Sequence, residues 1–220
     1  MEPNYQKRLC QQCEQRGITL AETQHQRLLQ YLALLLRWRS HLNLTGLRDA
    51  ERIIDVLIGE SLDFFQGGFL VPGTRVLDLG TGAGVPGIPL AICSVGLHFT
   101  LLDRSEKKIT FLRRAVSLLR LENCRPCCST AEDLAHALTS TQHFDAVVSR
   151  GVGHIAFLLR LSAPLLRPGG TLLVRKPLQT PELQEAAPLL ATATWGEVQM
   201  LPLLQAGSSP WGLLAIPRLA

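Results

Sequence analysis

The sequence predicts an α/β protein: a doubly wound, mostly parallel β-sheet with an N-terminal helical layer. Three observations carry that prediction. Leucines recur at helical spacing in the first third of the chain; short apolar segments alternate with helical ones after Gly73; and the first of those segments runs into a loop of three alternating glycines. At 220 residues the chain is long enough for one sizeable core. The expected division is residues 1–70 as a helical extension packed on the core and 71–220 as the sheet-bearing domain.

In order along the chain, Leu28, Leu29, Leu32, Leu35 and Leu36 mark a helix that Asn43-Leu44-Thr45-Gly46 breaks. Asp49 is an N-cap candidate for a helix through Ile53, Ile54, Leu57, Ile58, Leu62 and Phe65, which Gly67-Gly68 ends. Residues 75–79, 98–103, 125–129, 144–149 and 171–175 read as strands. Residues 87–95, 106–119 and 155–166 read as the helices between them, and residues 196–203 and 211–217 as a closing strand pair.

Composition narrows the class. The chain is 46% hydrophobic, which excludes low-complexity disorder. No apolar run approaches the roughly 20 residues of a membrane helix, and Met1–Leu9 lacks a signal-peptide apolar region, so a cytoplasmic protein without membrane association is expected. Net charge is +4, and its surplus sits in residues 71–180, with 13 basic against 7 acidic groups. Arginines number 18 against 4 lysines, which suits phosphate recognition but follows first from a GC-rich coding sequence, which would also enrich Ala, Gly, Pro and Leu. Cys10-x-x-Cys13 and Cys124-x-x-Cys127 lie far apart with no histidine at ligand spacing, so no metal is implied and buried, reduced thiols are expected. Trp38, Trp195 and Trp211 are scattered, as core-packing residues would be.

The chemistry concentrates in Val76-Leu77-Asp78-Leu79-Gly80-Thr81-Gly82-Ala83-Gly84. A strand ending in a carboxylate enters a loop whose Gly80, Gly82 and Gly84 allow close backbone approach to a ligand. A second strand ends in Asp103, placed to receive the hydroxyls of an adenosine ribose. Nicotinamide dinucleotides and S-adenosylmethionine both bind such loops. Val85 stands where a dinucleotide fingerprint has Gly or Ala, Pro86 and Pro89 crowd the helix start, and Asp78 would repel a pyrophosphate while suiting an ammonium. S-adenosylmethionine is favoured. At the end of the fourth strand, Val148-Ser149-Arg150-Gly151 contains neither an Asn/Asp-Pro-Pro-aromatic motif nor a cysteine nucleophile. The acceptor then needs no covalent activation. Guanine N7 is one such acceptor; small molecules and proteins remain open on these residues alone.

At this point a specific resemblance emerges. The chain resembles the glucose-inhibited division protein B family, bacterial 16S rRNA guanine-N7 methyltransferases acting in the 530 loop. The similarity runs from about Asn43 to Pro177. Its anchors are Asn43-Leu44-Thr45, the run from Asp78 through Gly84-Val85-Pro86-Gly87-Ile88-Pro89-Leu90, Leu102-Asp103 with Lys107-Lys108 and Phe111-Leu112, Ala131-Glu132, Ser149-Arg150, and Lys176. The resemblance implies a Rossmann-like class I S-adenosylmethionine-dependent methyltransferase. It implies a cofactor site at Asp78, Gly80, Gly82, Gly84, Val85, Asp103, Ala131, Glu132 and Arg150. Arg150 would orient the methyl acceptor, with no catalytic acid or base assigned, and Asn43, Lys107, Lys108 and Lys176 would meet RNA. The implied substrate is 16S rRNA in the 30S subunit, with no obligate protein partner. The chain departs from the family at Val56-Leu57 and Glu60-Ser61, where Arg-His and Asp-Ser are usual, and at Gly151 and Pro177. A different methyl acceptor, or an assembly factor that binds the cofactor without catalysis, are the alternative readings. From the residues alone, Arg150 is either a ligand-facing arginine or the partner of a carboxylate such as Asp145.

Overall fold

The computed structural model describes residues 3–139, 141–203 and 210–219. The helical layer opens with α1 (Pro3–Glu14) and α2 (Glu22–Leu42). At the start of α2 the Ala21 N–H donates to the Gln24 side chain; at its end Asn43 adopts a left-handed φ of 48° and donates its N–H to Arg39 O. Asp49 caps the next helix, accepting from the backbone N–H groups of Glu51 and Arg52 at 3.3 and 3.1 Å. That helix, α3 (Ala50–Arg52), continues as a π-helical turn over Ile53–Ile58 and a 3-10 segment over Gly59–Gly68.

The sheet follows: β1 (Arg75–Leu79), α4 (Gly87–Cys93), β2 (His98–Asp103), α5 (Glu106–Leu118), β3 (Cys124–Cys128), α6 (Ala131–Ala137), β4 (Phe144–Ser149), α7 (Ile155–Ser162), β5 (Leu166–Pro177), α8 (Glu182–Leu190), β6 (Gln199–Pro202) and β7 (Trp211–Pro217). Strand order is β3-β2-β1-β4-β5-β7-β6. The pairings from β3 through β5 are parallel, while β7 runs antiparallel to both neighbours. The chain therefore reverses its direction of growth between β1 and β4. In such sheets a crevice opens at that point, beyond the carboxyl ends of the strands.

Successive strand residues face opposite sides. Val76 and Leu101 join a core with α2, α4 and α5, whereas Leu77 and Leu102 join a second core with α7 and α8. The first core also holds Leu28, Tyr31, Leu32 and Leu35, so the helical layer packs directly on one face of the sheet.

Four details differ from expectation. β5 begins at Leu166 rather than at residue 171 and takes in Arg167-Pro168-Gly169-Gly170, where register shifts opposite Phe144 and Ala146 and Gly169 supplies a φ of 75°. Helix α8 was not foreseen, because Pro188 stands inside it. Of the six cysteines, all free thiols, only Cys13 is buried; Cys10, Cys93, Cys124 and Cys127 are half-buried, and Cys128 is exposed on the edge strand β3. Trp211 is 37% exposed and carries the Arg175 guanidinium 4.6 Å above its ring, so it is not a core residue. Among the described residues no helix is long and apolar enough to cross a membrane, and no group of three or more His, Cys, Asp and Glu side chains could hold a metal ion.

Candidate active site

The glycine loop is built around a buried carboxylate. Asp78 Oδ2 accepts the Thr81 hydroxyl at 2.6 Å and the Gly87 N–H at 2.8 Å, tying the end of β1 to the start of α4. Gly87 is required there: an added Cβ would lie 2.7 Å from that same oxygen. Asp78 Oδ1 is buried without a partner, and burial raises the carboxyl to a pKa of about 7 despite the two donors. Gly80, with φ of 71°, lets the loop pass Val152, whose Cγ2 would be 2.5 Å from an added Cβ. Gly84, with φ of 96°, is packed against Ile88 and Leu112.

Beside this loop lies a cavity of about 490 Å³ at the carboxyl edge of β1, β2, β3 and β4. Gly80, Asp103, Ala131, Glu132 and Arg150 line it, so five of the expected cofactor residues come together there. Asp103 Oδ2 accepts the Gly82 N–H at 3.0 Å and Oδ1 accepts the Ser105 N–H at 2.9 Å. Each carboxylate oxygen retains a second acceptor position for a ligand hydroxyl. Asp78, Gly82, Gly84 and Val85 stand outside the lining: they shape the loop from behind, and Asp78 serves its own backbone.

Arg150 enters the cavity wall just after β4. Its guanidinium donates to the Val56 carbonyl and lies 3.7 Å from Glu60. Burial lowers its pKa while Glu60 acts in the opposite sense. Asp145, the carboxylate named as the alternative partner, is held by Arg167 and by the Arg75 backbone N–H at 2.7 Å, so the arginine faces the cavity instead. Sequence reading missed Val152 and Phe157 in the wall; Phe157 is 46% exposed, an apolar ring left open at the cavity. Its one available signal was its position, seven residues after Arg150.

Of the residues expected at RNA, Lys108 also lines the cavity and lies 3.6 Å from Asp103 Oδ2. Lys107 and Asn43 are exposed, on the first turn of α5 and at the end of α2. Lys176 is engaged within the protein: it donates to Glu182 at 2.7 and 2.8 Å and to the Gly153 carbonyl at 3.0 Å.

The family model for rRNA small subunit methyltransferase G matches residues 24–209. The chain belongs to this family. It is 43% identical over 149 residues to the ribosomal RNA small subunit methyltransferase G of Stenotrophomonas maltophilia, covering 68% of this chain and 67% of that one. It is 38% identical over 176 residues to the enzyme of the same name from Chromohalobacter salexigens, covering 80% and 81%. Among solved structures, the S-adenosylmethionine-dependent methyltransferase SibL shares the fold with a TM-score of 0.59 at 21% identity, covering 82% of this chain and 62% of that one.

As a member of the methyltransferase G family, the chain is an S-adenosylmethionine-dependent methyltransferase with a Rossmann-like fold. The residues present fit that cofactor. The cavity volume falls within the roughly 300–1,000 Å³ of small-molecule sites. The Gly80 turn leaves the cavity floor free of side chain, and Asp103 stands at the end of β2, where a ribose is received.

Proposed function

We propose that the protein transfers a methyl group from S-adenosylmethionine to N7 of a specific guanine in the 530 loop of 16S rRNA, in the cytoplasm, with the 30S particle as its substrate. The observation that carries this reading is the single cavity collecting Gly80, Asp103, Ala131, Glu132 and Arg150 in a chain of the methyltransferase G family. S-adenosylmethionine supplies the electrophilic methyl carbon when bound. Asp103 holds the ribose hydroxyls, and the turn at Ala131 and Glu132 borders the adenine.

Guanine N7 has a free lone pair and no proton to lose. The protein's part is therefore positioning and electrostatics rather than base catalysis. Near Arg150 the wall is Gly151, Val152 and Phe157, none of which can act as a base. The Arg150 charge would oppose a cationic N7-methylguanine set directly against it. Contact with guanine O6, with a phosphate or with the methionine end of the cofactor fits better. Asn43, Lys107 and Lys108 meet RNA phosphates in this reading.

Transfer of labelled methyl into unmethylated 30S subunits tests it, with the site mapped by strand cleavage at N7-methylguanine and Arg150→Ala run alongside. A single cut in the 530 loop, lost in the variant, is expected. Bound cofactor without transfer would remove the reaction. Equal transfer into protein-free 16S rRNA would remove the preference for the particle.

A further inference from the structure

Five charged side chains form a continuous run beneath the cavity wall. Arg16 Nε lies 2.7 Å from Asp63 Oδ1, and Asp63 Oδ2 accepts Arg175 Nε at 2.9 Å. Arg175 Nη1 then lies 3.1 Å from Glu60 Oε2, and that same oxygen lies 3.7 Å from Arg150 Nη1. The side chains of Arg16, Asp63 and Arg175 are 6, 3 and 6% exposed. The run thus joins the end of α1, the 3-10 segment, β5 and the residue after β4.

Its charges do not balance. Three guanidinium groups face two carboxylates, in surroundings where an unmatched charge is costly. Asp63 is taken up by Arg16 and Arg175. Glu60 gives its shorter contact to Arg175, and among the described residues the hydrogen bond of the Arg150 guanidinium goes to the neutral Val56 carbonyl. Arg150 has the longest ion-pair distance of the run, 3.7 Å to Glu60, with the buried Asp78 carboxylate acting on it from farther away, and it is the member that lines the cavity.

We propose that Glu60 is a positioning residue for Arg150: it fixes the guanidinium at the cavity wall while leaving part of its charge unmatched, so that Arg150 receives an anionic oxygen of a bound ligand. This rests on the methyl-transfer reading above. The oxyanion is either the carboxylate of the cofactor's methionine end or an RNA phosphate, which present the same chemistry to a guanidinium.

A double-mutant cycle tests the coupling. Glu60→Gln, Arg150→Ala and the double variant are compared for binding of S-adenosylhomocysteine, of decarboxylated S-adenosylmethionine and of unmethylated 30S subunits, with thermal unfolding of each. Glu60→Gln is expected to weaken one of these affinities about tenfold in the wild-type background and less than about twofold in the Arg150→Ala background, the non-additivity of groups that act as a pair. Coupling with S-adenosylhomocysteine but not with the decarboxylated cofactor assigns the carboxylate; coupling with 30S subunits assigns the phosphate. An equal loss in both backgrounds is what a merely structural Glu60 gives, and it would overturn the proposal, as would no loss at all. Should Glu60→Gln not fold, Glu60→Asp keeps the charge but shortens its reach and serves in the same cycle. Absence of methyl transfer by the wild type would sink the reaction assignment, while the binding cycles still decide the Glu60–Arg150 pair.

Discussion

The fully buried Tyr31 hydroxyl donates to the Ala83 carbonyl at 2.8 Å, linking the middle of α2 to the glycine loop. The helical layer thereby supports the glycine loop from behind the cavity. It fixes a carbonyl that no strand or helix ladder satisfies, next to the residues expected to face the cofactor.

Tyr31→Phe keeps the ring and removes the donor, leaving Ala83 O buried and unpaired. A lost buried hydrogen bond of this kind costs about 1–3 kcal/mol. For a chain of this size that is a fall in Tm of roughly 2–4 °C per kcal/mol. Weaker S-adenosylmethionine binding is expected as well, because the loop loses its support. Calorimetric titration and thermal unfolding check both. An unchanged Tm together with unchanged affinity would show that the loop holds itself.

Gly80 and Gly68 form a matched pair for separating strain from crowding. Their φ angles are 71° and 70°, but an added Cβ meets Val152 at 2.5 Å at Gly80 and nothing within 4 Å at Gly68. Gly68→Ala should cost only the left-handed backbone penalty, about 1–2 kcal/mol, with cofactor affinity unchanged. Gly80→Ala should cost more and lower S-adenosylmethionine affinity at least tenfold, since Val152 must leave the wall. Equal effects from the two substitutions would contradict the close approach.

The sequence made the fold legible where its signals are local. The strand periods, the glycine spacing, the acids closing β1 and β2 and the Asp49 cap all lie within a few residues of the feature they specify. What escaped is long-range. The Asp63–Arg175 pair spans 112 positions, so no pattern joins them, and nothing in the sequence near Arg150 points to Glu60 as the carboxylate beside it. The place of Asp78 at a strand end is visible in the sequence and points it toward the cofactor. That its carboxylate turns back to Thr81 and Gly87 depends on the path of the whole loop.

Asp78 also sets a pH dependence. An aspartate titrates near pH 4 in an unfolded chain, whereas burial holds Asp78 at about 7 in the folded one. Between those values the folded state binds the additional proton, so its stability falls as pH rises through the window. The full loss, reached above pH 7, is on the order of a few kcal/mol. Asp78→Asn lacks this titration. Urea unfolding of the two proteins from pH 4.5 to 8 should show the wild type losing stability relative to the variant; parallel curves would mean that Asp78 ionises normally in the fold.

Lys107 and Lys176 separate RNA contact from internal support. Lys107 is exposed on the first turn of α5, where it opposes the helix dipole and makes no described hydrogen bond or ion pair. Lys176 is held by Glu182, which also accepts the Ile155 N–H at 2.9 Å, so that β5, the loop after β4 and the start of α7 meet at one ion pair. Burial works against ionisation of Glu182, but the bonds from Lys176 and Ile155 prevail and hold its pKa below the ordinary value. Releasing a phosphate contact lowers the salt dependence of RNA binding by about one unit in the log–log slope. Lys107→Ala should therefore reduce the slope of 30S binding by about one with Tm unchanged. Lys176→Ala should leave the slope unchanged, lower Tm by a few degrees, and reduce transfer because the loop carrying Gly151 and Val152 of the cavity wall loses its clamp at Gly153. A reduced slope in Lys176→Ala would instead mean that the lysine leaves Glu182 for a phosphate when the subunit binds, and that the ion pair in the free protein only stores it.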